Sequence, residues 1–120
     1  MREIRDMEAF AESQNAVEEI YAERRRQVDS EGWSLDHDDE HCTGELALAA
    51  AVYAAQAGLL WATTNSHREA VKWLWPFAGP PKLTGDPRRM LIKAGALIVA
   101  EIERLDRRAA SGDSVEEGGA

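Results

Sequence analysis

Histidines and carboxylates crowd one stretch of this chain, EGWSLDHDDEHCTGELALAA, residues 31–50. His37, His41 and Glu45 stand at i, i+4 and i+8. On one helix they would share a face and offer two imidazoles and a carboxylate to a transition metal. Asp38 and Asp39 lie between them, so His37, Asp38, Asp39 and His41 are the candidate metal ligands. Seven acids (Asp29, Glu31, Asp36, Asp38, Asp39, Glu40 and Glu45) fall within residues 28–45, where there is no Lys or Arg. Thr43 and Gly44, however, place the helix start after His41, which breaks the alignment. Acids ahead of a helix N-terminus also offset its dipole and cap its free N–H groups without any metal. A solvated acidic connection is therefore the default reading.

A second group is basic. Lys82, Arg88, Arg89 and Lys93 surround the start of the last helix, where the helix dipole disfavours cations. Cations in that position raise the question of which anion they meet, and a helix N-terminus with nearby Arg suits phosphate. Pairing with the acidic 28–45 segment, or plain solvation, would satisfy them equally. Trp33, Trp73 and Trp75 offer faces for stacking on a base, although closing a small bundle is the commoner use of Trp. The ligand-binding candidates are thus Trp33, Trp75, Lys82, Arg88, Arg89 and Lys93.

The third group lies on the last helix. Glu103 and Asp106, at i and i+3, are able to meet one ion. Glu101 falls on an apolar stripe, and a half-buried carboxylate requires a partner; Arg24, Arg25, His41 and Lys72 are the candidates. No nucleophile is paired with a base. Cys42 adjoins His41 in sequence, which is not how Cys–His catalysis is arranged. No P-loop, dinucleotide fingerprint or Cys-rich zinc pattern is present.

Helices must position these groups. Met7, Phe10, Val17, Ile20, Tyr21 and Val28 recur at helical spacing and predict a helix over 3–29, closed near Gly32. Residues 44–63 predict a second, alanine-rich helix, capped by Thr43 or an upstream Asp. Its stripe of Leu46, Ala50, Tyr53, Ala57, Leu60 and Trp61 places it at the centre of the core. Ser66 and Glu69 have capping-box spacing and predict a short helix from Arg68 to Trp75, ended by Pro76. A Gly/Pro-rich loop follows, with Trp73, Trp75 and Phe77 packed at its margin. Asp86-Pro87 starts the last helix, whose apolar period (Met90, Leu91, Ala94, Leu97, Ile98, Ile102, Leu105) runs to Asp106. The expected architecture is all-α: three main helices plus a short one in a single domain over 1–108, with 109–120 a disordered acidic tail.

Composition narrows the classes. A chain of 120 residues holds one core. No run approaches the ~20 apolar residues of a membrane span. The start, MREIRDMEAFAES, is unlike a signal or transit peptide. A single cysteine excludes an internal disulfide and fits a reducing cytoplasm. A net charge of −8 argues against non-specific nucleic-acid binding, which depends on neutralising phosphates.

The blocks EGW, HDDEH, GELA, WP, DPRR and EIERLDR, in that order across 23–54, the loop with Trp75-Pro76, and 86–107, resemble a family of short phage and prophage proteins with no assigned reaction. The resemblance implies a viral protein of the bacterial cytoplasm, and by analogy an antagonist of host defence. The chain is more distantly similar to the MazG-type all-α nucleotide pyrophosphohydrolases, which hold magnesium with an E-x-x-E pair and an E-x-x-D pair. Glu103-Arg-Leu-Asp106 fits the second pair. The first has no counterpart, since Leu48 stands three residues after Glu45.

Together these readings predict a non-enzymatic, cofactor-free homo-oligomer that sequesters a small phosphorylated ligand or a host defence protein. One alternative is a magnesium-dependent pyrophosphohydrolase using Glu45, Glu101, Glu103 and Asp106. Another is an interaction module that docks through the acidic segment.

Overall fold

In the computed structural model, residues 2–31, 39–40, 44–59 and 71–112 are described. They form three long helices: α1 (Arg2–Glu31), α2 (Glu45–Leu59) and α3 (Pro87–Ser111). No strand occurs among the described residues, so the all-α architecture holds. No helix among them is long and apolar enough to cross a membrane.

The core is the α2–α3 contact. Leu46, Ala49, Ala50, Tyr53 and Ala57 of α2 meet Met90, Ala94, Leu97 and Ala100 of α3. Alanines on both faces let the backbones approach closely, while Leu46, Met90 and Leu97 fill the space between. Burying each of these larger side chains contributes about 1.5–3 kcal/mol. The predicted α2 stripe is therefore correct as far as Ala57; Leu60 and Trp61 lie outside the described residues. α2 lines the core as its stripe predicts, and α3 is the helix that packs against both of the others.

Local signals account for the helix ends. Gly44 has φ 95°, a left-handed backbone, and its carbonyl accepts the first helical bond from Leu48 N at 2.9 Å. Gly44 thus occupies the cap position assigned by sequence to Thr43 or an Asp. Asp86 caps α3 as expected, with its carboxylate accepting from Arg89 N at 3.2 Å and Pro87 following as the first helical residue. α3 outlasts its apolar period and runs to Ser111, where Gly112 (φ 86°) turns the chain. The expected tail boundary at 109 therefore falls inside the helix. Of the short helix expected over 68–75, residues 71–72 are helical and 73–74 already turn, with Leu74 N donating to Val71 O at 3.0 Å.

α1 departs most from expectation. Of the six residues whose spacing predicted the helix, Met7, Phe10, Val17 and Tyr21 are exposed, whereas Ile20 and Val28 are half-buried. The face that meets α3 carries Ile20, Glu23, Arg24 and Gln27. Ile20 sits over Gly95, where an added Cβ would lie only 3.0 Å from its Cδ1. Glu23 reaches Arg89 near the start of α3, while adjacent Arg24 reaches Glu103, about four turns farther along. α1 therefore lies across α3 rather than alongside it. A polar face suffices because each buried charge meets an opposite one.

Candidate functional site

Where α1 crosses the start of α3, the two helices enclose an open cleft of about 370 Å³. Glu23 lies at its base, its side chain only 1% exposed. One turn later on α1, Arg26 donates to both Glu23 oxygens, through Nε at 2.8 Å and Nη2 at 2.7 Å. Arg89 Nη2 reaches the same carboxylate from α3 at 2.6 Å, and Gln27 Nε2 adds a fourth donor at 3.2 Å. Burial pushes the Glu23 carboxyl up, but the Arg26 and Arg89 hydrogen bonds and charges outweigh it and hold the group below its ordinary value. Glu23 is therefore ionised at neutral pH.

At the mouth of the cleft Arg88 pairs with Glu19, both groups largely exposed. The Arg88 hydrogen bond lowers the Glu19 pKa, and reciprocally that of Arg88 is raised. Arg88 and Arg89 thus stand against the α3 dipole because acids of α1 neutralise them. These partners are not the ones expected from the acidic 28–45 segment. From that segment Asp39 pairs elsewhere, with Arg107 at 2.8 Å.

The four cations grouped by sequence are divided between two sides of α3. Lys93 turns toward α2: its Nζ donates to Lys82 O at 3.3 Å and sits 5.4 Å from the Tyr53 ring centroid. The Tyr53 hydroxyl accepts from Lys82 N at 3.3 Å. Trp75 stacks edge-on against Tyr53 and Phe77, at 5.6 and 5.4 Å, and donates Nε1 to Gly79 O at 2.9 Å. Lys82, Lys93 and Trp75 therefore pin the loop before α3 onto the core and do not line the Arg88–Arg89 cleft. Trp73, expected to pack, is 86% exposed.

The carboxylates of α3 are likewise separated. Glu101 is clamped by Arg104 on its own helix at 2.7 Å, a partner absent from the four predicted. Glu103 takes Arg24 at 3.2 Å. Two positions apart, they project roughly 200° from one another around the helix. Glu45 heads α2, and Asp106 lies beyond Glu103 on α3. Among the described residues no group of three or more His, Cys, Asp or Glu side chains is placed to hold a metal ion.

Gly44, with its positive φ, interrupts any helix from His37 to Glu45, so the one-face metal alignment fails at that glycine. Trp33, His37, Asp38 and His41 themselves lie outside the described residues. Sequence reasoning missed Glu19, Glu23 and Arg26. The signal for Glu23 was its place between Ile20 and Gln27, one turn from each, passed over because Ile20 was counted with the Met7–Val28 stripe. No protein-family model, curated protein or solved structure matches the chain.

Proposed function

We propose that this chain is a non-enzymatic protein that binds a small phosphorylated, nucleotide-like ligand, with the phosphate held in the α1–α3 cleft. The observation that supports the reading is the buried Glu23 carboxylate, which draws the Arg26 and Arg89 guanidinium groups together beneath Arg88. A guanidinium has five N–H donors, and Arg89 uses one of its terminal nitrogens on Glu23. Arg89 thus retains donors for a phosphate oxygen in a preset orientation. The Arg88–Glu19 pair is exposed and weakened by solvent, so a doubly charged phosphate displaces Glu19 and recruits Arg88. Sequestration of a host defence signal in a bacterial cytoplasm is the matching role; it rests on the phage-protein resemblance alone.

Incubating the full chain with nucleoside triphosphates and cyclic nucleotides plus Mg²⁺, followed by mass spectrometry, tests the proposal. Ligand recovered intact after denaturation is the expected result, with binding at least about tenfold weaker in Arg88→Glu, equivalent to ~1.4 kcal/mol. Turnover abolished by Glu103→Gln would replace the proposal with the magnesium-dependent hydrolase. Binding unchanged in both Arg88→Glu and Arg89→Gln would remove the cleft from consideration.

A further inference from the structure

Every residue from Glu3 to Asn15 is exposed, yet the exposed surface of α1 is not polar all round. Met7, Phe10, Val17 and Tyr21 are 70%, 73%, 63% and 61% exposed. With Gln14 they follow one another at steps of three and four, the spacing of a coiled-coil seam rather than of a solvated helix. Phe10, Ser13, Gln14 and Val17, at i, i+3, i+4 and i+7, frame a shallow hollow on the helix surface. Those four positions are the ones that form the hole for a partner's knob.

The geometry points to a second copy of this chain as the occupant, its α1 running antiparallel to the first. Three observations favour that partner. The stripe leaves four large side chains more than 60% exposed, with Ile4, 52% exposed, beside them, a patch that an identical stripe would cover. Pairing Gln14 with Val17 of the second copy brings Phe10 against its Tyr21, and symmetry repeats both contacts. The same register sets exposed Glu8 beside exposed Arg25 of the second copy, again twice. A parallel arrangement would forgo both Glu8–Arg25 contacts. The antiparallel one also separates the two α2–α3 cores along the pair, since α3 meets α1 at Ile20 and Glu23, toward its C-terminal end. This surface is independent of the phosphate cleft.

Sedimentation velocity on the full chain tests the dimer. The expected species has twice the 13.3 kDa chain mass, and Phe10→Glu or Val17→Glu yields monomers with unchanged helix content. Orientation is read by charge exchange. Glu8→Lys and Arg25→Glu each weaken the dimer about fivefold, and the combined variant recovers wild-type affinity. Within one helix these residues are about 25 Å apart, so recovery arises only between chains. A monomer at all concentrations, a dimer indifferent to Phe10→Glu, or failure of the combined variant to recover would each overturn the inference. A monomer would assign the stripe to another segment of the same chain or to a different protein.

Discussion

The sharpest test of the α1–α3 junction is to remove both cations from Glu23. Arg89→Ala deletes one charge-assisted bond of 2.6 Å between helices and leaves both Glu23 oxygens bonded to Arg26. The expected loss is about 1.5 kcal/mol, near the lower end for hydrogen bonds to a charged group, because the Arg89 side chain is 37% exposed. Arg26→Ala removes two bonds within α1 and costs about 2 kcal/mol. Together they leave a carboxylate that is 1% exposed in the wild type with Gln27 as its remaining side-chain donor. Breaking a buried pair in this way costs about 3–5 kcal/mol, a large share of the ~5–15 kcal/mol that holds a domain together. Urea unfolding followed by circular dichroism would show the midpoint falling by about 2 M at a typical slope.

The pH dependence separates this cause from general damage. In the wild type the folded Glu23 pKa lies below its unfolded value. Its contribution is therefore complete above the unfolded pKa and is lost as pH falls through the folded one. In the double variant, burial without cations raises the folded pKa above the unfolded value. That variant should regain stability as pH falls through the raised folded pKa toward the unfolded one. A double variant that loses under 1 kcal/mol, or that follows the wild-type pH profile, would refute the reasoning.

Other substitutions probe separate parts of the fold. Gly95→Ala drives a methyl group against Ile20, at 3.0 Å from its Cδ1, and should cost about 1–2 kcal/mol in a melting experiment. Gly58→Ala meets nothing within 4 Å on a helix and should raise stability by about 0.5–1 kcal/mol, so the pair of variants moves in opposite directions. Asp86→Ala removes the α3 cap and should cost about 1 kcal/mol in urea unfolding. Leu97→Ala, in the fully buried α2–α3 contact, should cost about 2–5 kcal/mol by the same measurement.

Helix content was legible in the residues because it is local. Asp86-Pro87 announced α3 through cap chemistry acting over three residues, and the alanine-rich run of α2 needed only its own period. Which face each helix buries was less legible. The most apolar stripe of α1 remains in solvent, while Glu23, Arg24 and Gln27 go inward. Counting apolar residues assigns a different face, because it takes no account of a carboxylate that finds two guanidinium groups on arrival. α3 shows the same limit. Met90, Ala94 and Leu97 are buried as predicted, but Leu91, Ile98, Ile102 and Leu105 stay exposed because neither neighbouring helix covers that sector.

The candidate site divides along the same line. Sequence proximity joined Lys82, Arg88, Arg89 and Lys93, all near one helix start, and it correctly raised the question of their counter-charges. Around a helix, however, neighbours in sequence point in different directions. Arg88 and Arg89 turn to α1, whereas Lys93 turns to Tyr53 and the Lys82 carbonyl. By itself the sequence determined an all-α chain, the capped start of α3 and the small-residue contact surface of α2, since those follow from interactions within a few residues. Only the tertiary structure decided that Glu19 and Glu23, more than sixty residues earlier, answer Arg88 and Arg89. That pairing depends on where α1 crosses α3, and no local period encodes a crossing point.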